Sequence, residues 1–122
     1  ILHCTSSYPA KPEELNLRMI ETLRNRYRGV PIGFSSHATG VWAPLCAVVL
    51  GSAMIEVHFS LDRAAWPPSD QAASLEPAGL EHVVTYIRRW EQARGTGVKK
   101  VYESERAPMA RLRSLVIVVI LL

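Results

Sequence analysis

The middle of the chain alternates a short apolar strand, an apolar helix and a second apolar strand, and a histidine follows each strand. Residues 31–35 and 54–59 have the composition of strands, and residues 41–50 between them are apolar nearly all round. Strands joined by a helix run parallel, so their carboxyl ends meet at one edge of the sheet. We therefore expect His37 and His58 to lie close together at that edge.

The flanking segments extend the same pattern. Residues 2–5 predict a buried strand, and residues 13–28 predict an amphipathic helix because apolar side chains recur there at steps of three and four. A final helix is predicted over residues 77–95, between Pro77 and Gly95. The chain thus predicts an α/β fold with about three βα units. A closed (β/α)8 barrel takes eight units and about 250 residues, so we interpret 122 residues as the C-terminal portion of such a TIM barrel.

The amino-acid composition argues against nucleic-acid binding and against membrane association. The net charge of +3 is modest, and no basic stripe with interleaved aromatic residues is present, so nucleic-acid binding is not expected. The apolar run at residues 115–122 is shorter than the roughly 20 residues of a membrane-spanning helix and predicts a buried strand. No membrane association is expected. We assign residues 1–105 to the partial barrel and residues 106–122 to a linker with an apolar tail.

Cys4 and Cys46 lie far apart and match no metal-binding spacing. We interpret them as buried, reduced thiols of a cytoplasmic protein.

Two imidazoles at one edge of a parallel sheet are candidate metal ligands. A pair of histidines leaves coordination positions open for water and substrate oxygens, and Mn²⁺ or Mg²⁺ would accept it and polarise a carbonyl. Glu56 lies two residues before His58 and points to the same side of its strand, where it could orient the imidazole. The alternatives are that each histidine is satisfied in its turn, and that Glu56 forms a buried ion pair.

Hydroxyl groups also occur at the predicted strand ends. Ser6, Tyr8 and Ser35 stand where they could meet phosphate or sugar oxygens, although singly they are ordinary turn residues.

Four segments carry a family resemblance. CTSSYPAKPEELNLRMIETL, PIGFSSH, IEVHFSLDRAAW and SDQAASLEP resemble the sialic acid synthase family, the N-acetylneuraminate synthases. The resemblance implies a (β/α)8 barrel that condenses phosphoenolpyruvate with an N-acetylmannosamine-type sugar, using Mn²⁺ or Mg²⁺, in a cytoplasmic homodimer. The product would be a nonulosonic acid, and phosphate would be released.

The resemblance also assigns residues. It implies that His37 and His58 bind the metal and that Ser35 and Ser6 contact the phosphate of phosphoenolpyruvate. Tyr8 and Asp70 match positions that touch the acceptor sugar. Glu56 is the candidate catalytic residue because of its position beside His58, and not because of the resemblance. The family's other acid–base groups and its phosphate-binding lysines lie on earlier strands. The chain alone is therefore not expected to catalyse the reaction.

Two other functions stay open. The chain could be a non-catalytic, truncated remnant of such a barrel that at most binds a ligand or partner. It could instead derive from another phosphoenolpyruvate-aldol synthase, although those often use a cysteine ligand and neither Cys4 nor Cys46 is in the place for one.

Overall fold

A three-stranded parallel sheet lies at the centre of the chain. The structure is a computed structural model that describes residues 1–64 and 70–112. The strands follow one another in the sheet in the order β1, β2, β3. The elements are β1 (Leu2–Cys4), a 3-10 helix (Pro12–Glu14), α1 (Met19–Arg26), β2 (Gly33–Ser36), α2 (Trp42–Val49), β3 (Ile55–Val57), a second 3-10 helix (Asp70–Ala73), α3 (Pro77–Ala93) and α4 (Glu103–Leu112). The predicted α/β class with parallel strands is confirmed.

The two faces of the sheet differ in chemistry because side chains alternate along each strand. The register aligns His3, Phe34 and Ile55 on the face that carries the helices. The buried apolar core forms on that side from Ala10, Leu15, Ile20, Ile32, Phe34, Ala38, Ala43 and Ala47. The opposite face aligns Cys4, Ser35 and Glu56 in a single row. The sheet therefore separates an apolar core from a polar face.

Gly33 is required by the close approach of the neighbouring strands. A Cβ atom at this position would overlap Leu2 Cδ2 and lie 2.8 Å from the backbone oxygen of Met54. The oxygen cannot move without shifting β3, so we expect Gly33→Ala to lower the free energy of unfolding by about 1–3 kcal/mol, as overpacking does. Denaturant unfolding measures this change in free energy. Gly29→Ala cannot serve as the control variant, because Gly29 has φ +82°, which strains an alanine. Unchanged stability would contradict the tight register.

The prediction of the first helix was wrong over its first two turns. Residues 12–14 form a 3-10 helix, and α1 begins only at Met19. Asn16 between them has φ +40°, in the left-handed region that Asn tolerates better than most residues. The interruption frees the Leu15 carbonyl, whose oxygen lies 2.7 Å from His3 Nε2. The buried apolar side chains of this segment are thus Leu15, which follows the 3-10 helix, and Ile20 in α1.

The third strand is shorter than predicted but continues in a single bridge. β3 ends at Val57, and Phe59 then pairs in parallel with Leu75, so Leu75 occupies the position of a fourth strand. Part of the loop between β3 and α3 is therefore held by pairing with the sheet. Residues 65–69 of that loop lie outside the described residues.

The C-terminal part of the described chain also differs from expectation. Helix α4 (Glu103–Leu112) was not predicted from the sequence. It spans the predicted domain boundary after residue 105, and that boundary stays a prediction. The predicted apolar strand at residues 115–122 lies outside the described residues. Within residues 1–64 and 70–112, the structure contains no helix that combines the length and apolar character needed to cross a bilayer.

The prediction for the two cysteines was wrong on burial. Cys4 and Cys46 are both free thiols, as expected, but both are exposed. Cys4 lies on the polar face of the sheet, and Cys46 lies on α2.

Candidate metal centre

Three potential metal ligands converge above the polar face of the sheet. His37 follows β2, Glu56 lies within β3 and His58 follows β3. One ligating atom from each of the three lies within 4.8 Å of the others, and the two imidazole centroids are 5.1 Å apart at 77°. The structure thus brings together the histidine pair and the carboxylate that the sequence placed at this edge.

His37 is fixed from both its ring and its backbone. Its side chain is buried, and Nδ1 lies 2.7 Å from the backbone oxygen of Thr5. A carbonyl oxygen can only accept, so Nδ1 carries the hydrogen and Nε2 keeps its lone pair. The His37 carbonyl in turn accepts from the Ala10 amide at 3.0 Å, which docks the loop after β1 against the site. The ring is therefore held in the tautomer that a metal ligand needs.

His58 is held by backbone pairing with Leu75, the residue that lies beside β3. Its carbonyl accepts from the Leu75 amide at 2.8 Å, and the Ser60 amide donates to the Leu75 carbonyl at 2.9 Å. The short 3-10 helix before Leu75 brings Asp70 Oδ2 to 3.6 Å from His58 Nδ1. Asp70 is thus placed beside the metal candidate by the pairing of Leu75 with the sheet.

Glu56 has a neighbour on the adjacent strand. Ser35 faces it in the strand register, and the Ser35 hydroxyl donates a hydrogen bond to Glu56 Oε2. Ser35 is buried, whereas Glu56 is partly exposed toward the cluster. The carboxylate is therefore anchored through one oxygen.

Tyr8 covers the two imidazoles. Its ring lies 4.0 Å from His37 and 5.6 Å from His58, measured between centroids. Partial desolvation raises the pKa of Tyr8, and the negative charges of Asp70, Cys4 and Glu56 raise it further. The phenol therefore stays protonated at neutral pH and can donate a hydrogen bond to a ligand at the cluster.

Ser6 and Cys4 form the rim on the β1 side. Cys4 Sγ lies 3.8 Å from Ser6 Oγ and 3.9 Å from His37 Nδ1. Sequence reasoning missed the place of Cys4 in the site, although its separation of two from Ser6 puts both on one side of the chain. It also missed the Thr5 carbonyl, for which no side-chain signal exists because every residue has a carbonyl.

The donor set suits a divalent cation. Two imidazole nitrogens and one carboxylate leave further coordination positions open, and the carboxylates of Glu56 and Asp70 supply negative charge. Ligating atoms this close can meet on one ion by small side-chain rotations. An open metal site beside donors such as Tyr8 can polarise a substrate oxygen and hold the substrate in one orientation.

Comparisons with known proteins identify relatives of this chain. The chain is 42% identical over 106 residues to the N-acetylneuraminate-9-phosphate synthase of Homo sapiens, covering 87% of this chain but 29% of the relative. It is equally similar, at 42% over 106 residues, to the N,N'-diacetyllegionaminic acid synthase of Campylobacter jejuni, covering 87% of this chain and 31% of the relative. The chain thus spans about three-tenths of the length of these relatives.

The fold also matches solved structures of proteins with similar sequence identity to this chain. An N-acetylneuraminic acid (sialic acid) synthetase from Leptospira borgpetersenii, in complex with citrate, superposes with a TM-score of 0.73 at 38% identity, covering 93% of this chain and 39% of that protein. The spore coat polysaccharide biosynthesis protein SpsE of Bacillus subtilis gives a TM-score of 0.74 at 38% identity, covering 84% of this chain and 29% of that protein. The NeuB family matches residues 1–99. Because this match covers most of the chain and the relatives share about 40% of its residues, the chain belongs to the NeuB family.

Proposed function

We propose that this chain forms the metal-binding portion of a (β/α)8 barrel that condenses phosphoenolpyruvate with an N-acetylmannosamine-type sugar. In this reaction the enol carbon of phosphoenolpyruvate attacks the sugar aldehyde, and a carbon–carbon bond forms. Water adds at the carbon that bears the phosphate ester, phosphate leaves, and a nonulosonic acid results. The observation that carries the proposal is the convergence of His37, Glu56 and His58 at the carboxyl edge of a parallel sheet.

The proposed metal is Mn²⁺ or Mg²⁺, held by His37 and His58 with Glu56 beside them. When bound, it supplies Lewis-acid polarisation of the sugar aldehyde. The two nitrogen donors favour Mn²⁺, since Mg²⁺ prefers oxygen ligands. The contact between His37 Nδ1 and the Thr5 carbonyl supports this assignment, because it leaves Nε2 as the ring nitrogen that can bind a metal.

We assign the surrounding side chains to the two substrates. Tyr8, whose ring lies 4.0 Å from that of His37, would donate to the sugar, and Asp70 would accept from a sugar hydroxyl. Ser6 has the exposed hydroxyl of the β1 rim and would donate to the phosphate of phosphoenolpyruvate. The phosphate and the aldehyde would then lie on either side of the cluster.

The acceptor is proposed only as a class, an N-acylated amino sugar. The relatives named for N-acetylneuraminate-9-phosphate and for diacetyllegionaminic acid are equally identical to this chain, and a pseudaminic acid synthase of Campylobacter jejuni is 38% identical over 96 residues. Phosphoenolpyruvate is a cytoplasmic metabolite, so we propose a cytoplasmic enzyme, and we propose a homodimer for the whole protein.

The test uses the native polypeptide that contains this chain. It is purified from its source cell, its intact mass is measured, and phosphate release from phosphoenolpyruvate is followed with Mn²⁺, with and without N-acetylmannosamine. We expect release that depends on both sugar and metal, together with a mass well above 13.6 kDa, since the matched segment is only 29% of the length of the human relative.

Two results would contradict the proposal. A native mass of 13.6 kDa without phosphate release would support the truncated remnant instead. Phosphate release that requires a different aldehyde, such as a pentose or tetrose phosphate, and not an N-acylated amino sugar, would indicate another phosphoenolpyruvate-aldol synthase.

A further inference from the structure

The loop that follows β1 carries Tyr8, which is 50% exposed. Its ring contacts the rings of His37 and His58, and its hydroxyl makes no hydrogen bond within residues 1–64 and 70–112. Neither deep burial nor a hydrogen bond of the side chain therefore fixes this tyrosine. Its position depends on the backbone of the loop, and fixing the backbone of an exposed loop costs conformational entropy that other interactions must offset.

Glu14 ends the 3-10 helix (Pro12–Glu14) that closes this loop, away from the candidate metal centre. Its Oε2 accepts two hydrogen bonds, from the Ser7 hydroxyl at 3.2 Å and from the Lys11 amide at 3.2 Å. Its backbone carbonyl accepts a third, from the Thr5 hydroxyl at 3.1 Å. A glutamate at this helix position commonly accepts from the amide before the helix, whereas the bond from Ser7 spans seven residues. Glu14 thus joins the two ends of the loop.

We propose that Glu14 is a positioning residue that keeps the loop after β1 closed and so holds Tyr8 toward the acceptor sugar. This inference rests on the proposed function, of which the contact between Tyr8 and the sugar is a part. Ser7 directly precedes Tyr8 and Lys11 follows it by three residues, so one carboxylate oxygen holds the chain on both sides of the tyrosine. The charge of the carboxylate strengthens both bonds, because hydrogen bonds to an ionised acceptor are stronger than those to a neutral one.

A second anchor of the loop allows the contribution of Glu14 to be measured. The Ala10 amide donates to the His37 carbonyl at 3.0 Å, and Ala10 is buried. Glu14 makes no hydrogen bond with Ala10, so this amide reports on the loop as a whole. If Glu14 keeps the loop closed, its removal exposes the Ala10 amide to water more often. If the Ala10 anchor is sufficient by itself, the amide stays as protected as before.

The neighbouring residue supplies a matched control. Glu13 is an exposed glutamate of the same 3-10 helix, and its side chain makes no hydrogen bond or ion pair with any residue that the structure describes. Glu13→Ala therefore removes the same group and the same charge one residue away. Glu14→Gln serves as the conservative variant, because the amide keeps an oxygen that can accept both bonds and loses only the charge.

The experiment introduces each substitution into the native polypeptide that contains this chain and measures amide hydrogen exchange. We expect Glu14→Ala to speed exchange at the Ala10 amide by about tenfold or more, because two hydrogen bonds of ordinary strength are lost. Glu13→Ala should exchange as the wild type does, and Glu14→Gln should restore most of the protection. The Phe34 amide, which donates to the Met54 carbonyl within the sheet, should be unaffected in every variant if the fold is intact.

Steady-state kinetics then test whether the loop acts through Tyr8. With Mn²⁺ present, we expect Glu14→Ala to raise the KM for N-acetylmannosamine by about threefold to tenfold, as when one hydrogen bond to a ligand is weakened. The KM for phosphoenolpyruvate should stay unchanged, whereas a general loss of structure would raise both values. In a Tyr8→Phe background, Glu14→Ala should raise the sugar KM little further, because the two residues act as one unit.

The outcomes separate this inference from the proposed function. Equal exchange at the Ala10 amide in Glu14→Ala and Glu13→Ala would overturn the inference, because the loop would then be closed without Glu14. Faster exchange with an unchanged sugar KM, or with equal rises in both KM values, would overturn the link to Tyr8. If the wild type uses no N-acylated amino sugar, the proposed function fails and the role of Glu14 toward the sugar fails with it, while exchange at Ala10 still decides whether Glu14 closes the loop.

Discussion

His58→Ala is expected to weaken Mn²⁺ binding by more than the roughly 100-fold that loss of an outer-shell partner can cost. The substitution removes one of three converging candidate ligands and would leave only His37 and Glu56 to hold the ion. His58 is only partly buried, with its side chain 26% exposed, so the fold should tolerate the change. Calorimetry on the chain measures the binding, and the metal-dependent phosphate release proposed for the native polypeptide should be lost.

The chain offers a matched control for this substitution. His82 is an exposed histidine on α3 whose ring contacts Tyr86, so His82→Ala removes the same group away from the cluster. We expect unchanged Mn²⁺ affinity in that variant. Equal binding by His58→Ala and the wild type, or equal loss in both variants, would rule out the proposed metal centre.

His37→Ala should have a second effect that His58→Ala lacks. His37 is 5% exposed and its Nδ1–H donates to the Thr5 carbonyl at 2.7 Å. The substitution removes this donor and leaves a gap beneath Tyr8. Besides losing Mn²⁺ affinity, this variant should lose about 1–3 kcal/mol of unfolding free energy, as when a buried acceptor loses its donor. Thermal unfolding without metal tests this, and a stability equal to that of His58→Ala would contradict it.

The sequence predicted the parts of the site that follow from strand periodicity. His37 and His58 each follow a strand of one parallel sheet, and Glu56 precedes His58 by two, so alternation alone puts them on one face. For this reason the sequence alone predicted both the proximity of these three side chains and the α/β class. The resemblance to the sialic acid synthase family, drawn from four short segments, is confirmed as membership of the NeuB family.

The remaining features depend on non-local geometry. Asp70 lies beside His58 because Leu75 pairs with the sheet. The composition of the loop does not predict that bridge. The first helix starts late because Asn16 takes a left-handed conformation. Periodicity cannot reveal this break, since Leu15 before it and Ile20 after it are both buried. Cys4 was expected to be a buried, reduced thiol, yet it lies on the polar face of the sheet and is exposed.

Phe34→Ala should cause the largest loss of stability of any single change proposed for this chain. Phe34 is fully buried on the central strand, on the face opposite Ser35, and belongs to the same core cluster as Ile20 and Ala47. Removing a buried phenyl ring leaves a cavity and costs about 3–5 kcal/mol, a large share of the roughly 5–15 kcal/mol that stabilises a typical domain. Denaturant unfolding measures the loss.

The matched control is Phe59→Ala, which deletes the same ring where it is already 49% exposed. About half of that surface meets water before the change, so its loss should be clearly smaller than at Phe34. Because Phe34 lies on β2 three residues before His37, its ring supports the strand that ends next to this candidate metal ligand. We therefore expect Phe34→Ala to weaken Mn²⁺ binding at temperatures where the protein is still mostly folded. Equal stability losses in the two variants would show that the apolar core does not centre on β2.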